Sequence, residues 1–342
     1  MSDNTPYVSI IMPIRNEAAF IERSLGSLLM QDYPPERMEI LVADGMSEDG
    51  TRQIVQHLIA KTSHPLVCLL DNPSRIIPTG LNRAIRQAKG EVIVRIDGHT
   101  LVASDYISEG IATLWRTGAD NVGGIASSVG EGWIGETIAL AYSLRFGVGG
   151  ALFRRATTET EADTVYMGIF RRDVFDRVGL FDEELIRNQD IELNGRIRRA
   201  GGRIILSPQL RTTYFHRHSV GTLWRQNYTN GLWLFPTLAK TASALSWRHF
   251  VPLAFVSSLL LSAIASLTLP GGWLALIAIG GSYLVATAVV SINAARKYGW
   301  RFVFSLPVVF ATLHFSYGMG SLNGLSQRVG RWFRQRLPPK SG

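Results

Sequence analysis

The chain has 342 residues, 46% hydrophobic and 18% charged, which excludes a disordered polymer and leaves length for about two domains. The formal charge of +8 conceals an asymmetry: residues 1–192 carry 18 bases and all 27 acids, a net −9, whereas the last 150 residues carry 17 bases and no acid, a net +17. Such a split points to a chain that meets a membrane or a polyanion with one end, and the single cysteine, Cys68, excludes an intramolecular disulfide framework.

The start, MSDNTPYVSIIMP, lacks a basic segment followed by a long apolar run, so no cleavable signal peptide is expected and the amino end is expected to stay in a reducing cytoplasm. YVSIIMPIR then predicts a buried strand, AAFIERSLGSLLMQ an amphipathic helix and MEILVADG a second buried strand. TRQIVQHLIAK reads as helix, PLVCLLD as strand, TGLNRAIRQAKG as helix and EVIVRIDG as strand. Strand alternating with helix predicts an α/β domain over residues 1–222 with right-handed crossovers and a mostly parallel, Rossmann-like sheet. Its ligand site lies beyond the carboxyl ends of the strands.

Residues 223–246 read as an interfacial amphipathic linker, in which Trp224, Tyr228, Trp233 and Phe235 suit headgroup depth. Nearby His216, Arg217, Arg225 and Gln226 are candidates for contact with a diphosphate or an acceptor; the alternative is a linker with no catalytic contact. Residues 247–342 read as a membrane region. The segments 250–269 and 273–292 carry no charge, and each is long enough to cross about 30 Å of hydrocarbon. Arg248 before this hairpin and Arg296, Lys297 and Arg301 after it place both of its ends in the cytoplasm. A third uncharged stretch, 302–322, contains Pro307, His314, Gly318 and Gly320 and reads either as a span or as a re-entrant or interfacial segment. The tail beyond it sets Leu325, Val329, Trp332 and Phe333 opposite arginines, the pattern of a basic amphipathic helix on an anionic leaflet.

Three predicted strands end in polar groups: Pro13, Arg15, Asn16 and Glu17 after the first, Asp44, Ser47 and Asp49 after the second, and Asp97 and His99 after the fourth. In an open sheet these ends converge, and carboxylates with an imidazole in one crevice make a site for a hard cation that grips a diphosphate. Each residue also has a purely structural reading. Asp44 and Asp49 can build a turn and cap the following helix, and for Asp49 the cap is preferred. His99 can be an ordinary loop histidine, Asp190 an acid favoured by a helix dipole, and Phe146–Gly150 a flexible loop instead of an acceptor lid.

The motifs YVSIIMPIRNE, LVADGMSEDGT and RIDGHT, followed by VYMGIFRRDVFDRVGLFDEEL and NQDIELNGRIRRAGGRI, together resemble a family 2 glycosyltransferase with the GT-A fold over about residues 7–220. NPSRIIPTGLNRAI, DGHT and FGVGGALFR narrow the resemblance to exopolysaccharide glucosyltransferases of the succinoglycan type. The resemblance implies that Asp44 reads the nucleobase, that Pro13, Arg15 and Glu17 border the nucleotide, and that Asp97 and His99 stand at the D-x-D motif as metal ligands for Mg2+ or Mn2+. His99 departs from that motif, with an imidazole in place of a carboxylate. Asp190 occupies the position of the catalytic base, preceded by Gln189 where the family often has Glu. Gly168 falls on the acceptor side. The implied reaction is inverting transfer of a hexose, glucose from UDP-glucose first among them, to a polyprenyl-diphosphate-linked saccharide. It would take place at the cytoplasmic face of an inner membrane, with other glycan-assembly enzymes as further partners. The Q-x-x-R-W motif of processive synthases is absent, so a single transfer per encounter is expected.

The competing readings are transfer to a polyprenyl monophosphate and, from another class, a non-catalytic nucleotide-binding membrane scaffold. A nucleotidyltransferase would want a glycine-rich motif that Pro13-Ile14-Arg15-Asn16 does not supply. Nucleic acid is not an expected partner, because the cations flank apolar spans and do not line a soluble groove.

Overall fold

The computed structural model describes residues 5–149, 156–215, 219–241 and 245–336, without the side chains of 331–336. They form two compact units, one of residues 1–127 and 151–215, the other of residues 128–150 and 216–342.

The first unit begins with strand–helix alternation: β1 (Val8–Ile14), α1 (Ile21–Leu29), β2 (Met38–Asp44), α2 (Thr51–Lys61), β3 (Leu66–Asp71), α3 (Ile77–Gln87) and β4 (Val92–Arg95). It continues through β5 (Thr100–Val102), α4 (Tyr106–Thr117), β6 (Asn121–Val129), β7 (Thr160–Glu161), β8 (Tyr166–Arg171), α7 (Asp173–Val178), α8 (Gln189–Arg199) and β9 (Ile204–Phe215). The sheet runs β3-β2-β1-β4-β8-β6-β9-β5, with β7 on β9. β1 pairs in parallel with β2 and β4, and β2 with β3. β8 is antiparallel to β4 and β6, and β9 is antiparallel to β5 and β7, so the sheet is mixed. Parallel pairing needs a crossover between strands, and the alternation that supplies one ends at β4.

The central strands are apolar throughout because both faces are covered. Ile10, Met12, Val42 and Val94 pack with Ile21, Leu25, Leu28 and Tyr106 on one face. Ile11, Leu41 and Ile93 pack with Leu81, Ile85, Phe170 and Leu193 on the other. Register sets Ile14 beside Asp44 and Ile11 beside Arg95, so the polar ends of β2 and β4 flank β1.

The second unit contains α5 (Gly132–Ser143), α6 (Arg145–Val148), α9 (Val220–Leu232), α10 (Leu234–Lys240), α11 (Val251–Thr268), α12 (Trp273–Tyr298) and α13 (Ser305–Arg336). Residues 128–150, inside the stretch 1–222 that the sequence presents as one domain, thus group with the C-terminal helices. Ile138, Ala141 and Tyr142 share a core with Leu306, Val309 and Phe310. Among the described residues two helical stretches, Trp247–Thr268 and Trp273–Tyr298, are long and apolar enough to cross a membrane. At 1.5 Å per residue they extend about 33 and 39 Å.

The uncertain third stretch and the tail after it are one helix of 32 residues. Pro307 lies in its first turn, where backbone N–H groups have no helical acceptor to lose. Its glycines mark close backbone approach: a Cβ on Gly320 would strike the Tyr228 carbonyl, and one on Gly324 the Leu232 carbonyl. Such small-residue contacts let helices pack without long side chains between them. His314 lies 2.7 Å by Nε2 from the Phe146 carbonyl oxygen and 3.0 Å by Nδ1 from the Tyr283 hydroxyl, which accounts for a histidine in an apolar stretch.

Candidate active site

The loops after β1 and β2 are stitched together by short polar side chains. Asn16 N–H donates to Ser47 Oγ at 2.9 Å, and Ser47 Oγ donates to Asp44 Oδ1 at 2.5 Å. Glu17 N–H donates to Thr51 Oγ1 at 2.8 Å, and Ala18 N–H to Asp49 Oδ2 at 3.1 Å. Asp49 also takes Thr51 N–H and the Thr51 hydroxyl, the helix-start role expected of it. Burial opposes its charge, but these hydrogen bonds prevail and hold the Asp49 carboxyl below its ordinary range.

Among the described residues five non-glycine residues have positive φ: Asn16, Met46, Arg75, Met167 and Asn188. All five lie in or beside the loops that form the site. Such backbone costs about 1–3 kcal/mol at each position and persists only where the surrounding structure enforces it.

Two clefts share Asp97, which lies beyond the carboxyl end of β4. The first is lined by Pro13, Arg15, Glu17, Asn72, Arg75 and His99, among others, together with Asp97. The second is lined by Arg95, Asp97, Asn121, Gly168, Asp190 and Asn194 and by the apolar side chains around them. Residues far apart in sequence, 13–17, 97–99, 168 and 190, are therefore brought to two adjoining hollows.

Asp44 sits differently. It is fully buried, and its carboxylate accepts from Ser47 and from Arg52 Nη1 at 2.7 Å; its neighbours Ala43 and Gly45 line the first cleft in its place. Arg52 reaches on to Asp71 Oδ1 at 2.8 Å. Gln189 is buried at the start of α8. Arg225 and Gln226 lie on α9 of the second unit and are not among the lining residues of either cleft. His216 and Arg217 lie outside the described residues, as does Gly150 of the expected lid.

Arg95 had no role in the sequence reading. It is 7% exposed, and its Nε and Nη2 hold the two oxygens of Asp97 at 3.0 and 3.3 Å. Burial works against its charge, but Asp97 and then Asp190 outweigh burial and keep Arg95 protonated. The signal for it was a charge inside the otherwise apolar run VIVRI. Tyr166 is a second such residue: its hydroxyl is 2.7 Å from the Thr100 hydroxyl, and burial followed by the Asp97 charge raises its pKa well above the ordinary range.

Asp190 is the contrasting acid. It lies half-buried in the first turn of α8, and no hydrogen bond or ion pair from another described residue occupies its carboxylate. The helix around it is anchored by Glu192, whose carboxylate holds Arg196 at 2.8 Å, while Arg196 Nη2 donates to the Leu180 carbonyl. Gly168 is fixed by packing: a Cβ there would lie 2.5 Å from the Phe170 ring and 2.6 Å from Asn121 Oδ1.

His99 Nδ1 lies 2.9 Å from Glu17 Oε1. Among the described residues no group of three or more His, Cys, Asp or Glu is arranged to hold a metal. Asp97 and His99 fit an ion that takes most of its shell from diphosphate oxygens and water, the usual mode for Mg2+, and the imidazole also suits Mn2+.

The profile of glycosyl transferase family 2 matches residues 9–179, half of the chain. The chain belongs to glycosyltransferase family 2. It is 30% identical over 273 residues to the succinoglycan biosynthesis protein ExoA of Rhizobium meliloti, covering 79% of this chain and 81% of that one. It is 29% identical over 250 residues to a dolichyl N-acetyl-alpha-D-glucosaminyl phosphate 3-beta-D-2,3-diacetamido-2,3-dideoxy-beta-D-glucuronosyltransferase of Methanococcus voltae, covering 67% and 78%. Among solved structures, the mannosyltransferase PcManGT of Pyrobaculum calidifontis, in complex with GDP-Man and Mn2+, superposes with a TM-score of 0.59 at 19% identity, covering 91% of this chain and 88% of that one. The family 2 assignment makes the protein a transferase, and the structural likeness confirms the expected GT-A fold.

Proposed function

We propose that this family 2 glycosyltransferase moves glucose from UDP-glucose to a polyprenyl-diphosphate-linked saccharide, with inversion, at the cytoplasmic face of a membrane. The observation that carries this reading is the unengaged carboxylate of Asp190 in the same cleft as Asp97. An inverting transfer needs such an arrangement, with one free base opposite the leaving diphosphate.

The acceptor hydroxyl gives its proton to Asp190 as its oxygen bonds to the anomeric carbon. The bond from that carbon to the diphosphate oxygen breaks, and the leaving nucleoside diphosphate takes the electron pair. Arg15 and Arg75, both lining the first cleft, offer cations for the leaving diphosphate, while Pro13, Glu17 and the backbone at Ala43 and Gly45 border the nucleoside. A divalent ion carried by Asp97 and His99 would supply further charge neutralisation when bound. Asp44 acts on the base through the loop it orders with Ser47.

Support for a membrane-borne acceptor comes from the two apolar helices, from the +17 charge of the last 150 residues, and from ExoA and the Methanococcus voltae protein, whose names refer to polysaccharide and to a lipid-linked sugar. The test is incubation of membranes containing the protein with labelled UDP- and GDP-sugars, followed by identification of the lipid product. Label from UDP-glucose in a lengthened diphosphate-linked glycan, formed only where a preassembled lipid-linked acceptor is present, is expected. A product on a lipid monophosphate made without a preassembled glycan would replace this reading with the simpler lipid-phosphate transfer.

A further inference from the structure

In the cleft that holds Asp190, two polar atoms of opposite character have no hydrogen-bond partner among the described residues. Arg95 is more than nine-tenths buried; Nε and Nη2 are engaged by Asp97, and Nη1 donates no hydrogen bond to any described residue. Asn121 is fully buried; its Nδ2 donates to Asn194 Oδ1 at 2.8 Å, and its Oδ1 accepts from nothing. Asn194 Nδ2 donates onward to Thr164 Oγ1 at 2.9 Å, so this chain occupies one end of the Asn121 amide and leaves the other, Oδ1, over. A buried acceptor without a partner, such as Asn121 Oδ1, is rare in native proteins and calls for a cause, and Arg95 Nη1 is a donor beside it that is not shut off from the cleft.

Both residues line a cleft whose other surfaces include Met167, Phe170 and Phe181. Apolar walls with a few placed polar atoms suit a sugar ring, which presents C–H faces and hydroxyl edges. Asp190, a carboxylate with no ion pair among the described residues, disfavours a second carboxylate on the sugar beside it and so favours a neutral sugar over an acidic one. We propose that Arg95 Nη1 and Asn121 Oδ1 are specificity determinants that hydrogen-bond hydroxyls of the transferred sugar. This rests on the reading of that cleft as the place of sugar transfer.

The test uses the full chain in lipid nanodiscs, with UDP binding, UDP-glucose transfer, and transfer from singly deoxygenated UDP-glucose analogues and UDP-glucuronate. In the wild type at least one deoxy analogue should lose kcat/KM by about 100-fold or more, because a site built around a hydroxyl leaves its own polar groups unpaired without it. UDP-glucuronate should be rejected. Arg95→Lys and Asn121→Leu should each lose discrimination against one analogue while UDP affinity stays within about threefold, on the same reasoning. Wild-type rates within about threefold for every analogue would overturn the proposal, whatever the folding of the variants. Equal losses of UDP and UDP-glucose binding in both variants would make the two residues structural. Absence of transfer from every UDP- and GDP-sugar would instead defeat the underlying functional reading.

Discussion

Arg95 and Asp97, two positions apart at the end of β4, form a two-bond ion pair on the wall where the two clefts meet. The pair gives Asp97 a fixed orientation before any donor arrives, and it leaves the neighbouring cleft with an acid, Asp190, that no described residue neutralises by contact. One carboxylate is thus held in place and the other kept available.

The proposed metal has a direct test. Chelation with EDTA should abolish transfer and weaken UDP binding, and Mn2+ or Mg2+ should restore both. His99→Ala should raise the metal concentration needed for half-maximal UDP binding by about tenfold or more, since loss of a direct ligand costs at least as much as loss of a group that only supports one. Equal turnover and equal UDP binding with and without EDTA would remove the metal from the account.

Asp44 and Arg52 offer a stability prediction. Arg52→Met leaves a fully buried carboxylate with Ser47 alone, so a loss of about 3 kcal/mol is expected in denaturant unfolding of the membrane-solubilised protein. Adding Asp44→Asn should recover part of that loss, because the uncompensated charge is then gone. A single variant as stable as the wild type would mean that Asp44 is satisfied without Arg52.

Asp49 carries a pH dependence. Its carboxyl is held below the ordinary range, so its contribution is present above the unfolded-state pKa and is lost as pH falls through the folded-state value. Asp49→Ala should therefore cost about 1 kcal/mol at neutral pH, and the gap to the wild type should close as the medium becomes acid. Thermal unfolding at several pH values measures it; a gap that widened in acid would contradict the cap.

Gly168→Ala is expected to disturb the cleft that holds Asp190. The new methyl would press on the Phe170 ring and on Asn121 Oδ1, an overpacking cost of about 1–3 kcal/mol. Transfer should fall more than UDP binding, because the proposed place for UDP is the other cleft. Unchanged transfer would show that the Asp190 cleft tolerates the shift.

Much of this site was legible in the sequence, and the residues show why. The runs around Ile10, Ile40 and Val94 are apolar throughout because both sheet faces are covered, so strand positions and the polar groups at their ends could be read directly. Asp97 and His99 were readable as the polar end of a strand, and Gly168 and Asp190 through the resemblance of the later motifs to the family. Arg95 was missed because a residue inside a strand is normally read as packing, and its side chain turns to the cleft only in three dimensions. The burial of Asp44 was equally hidden, since its partner Arg52 is on α2, after a loop whose course depends on Asn16 and Ser47. The grouping of residues 128–150 with the C-terminal helices depends on contacts such as Ile138 and Tyr142 with Leu306 and Phe310, which no local pattern encodes. The single helix of α13 was obscured because Pro307, Gly318 and Gly320 count against a helix in isolation, although packing makes them compatible with one.

The central claim is that Asp190 takes the acceptor proton, and Asp190→Asn tests it most directly. The variant should bind UDP with wild-type affinity and transfer glucose about 100-fold to 10,000-fold more slowly, the range for loss of a general base. Wild-type transfer by Asp190→Asn, with UDP binding intact, would contradict it.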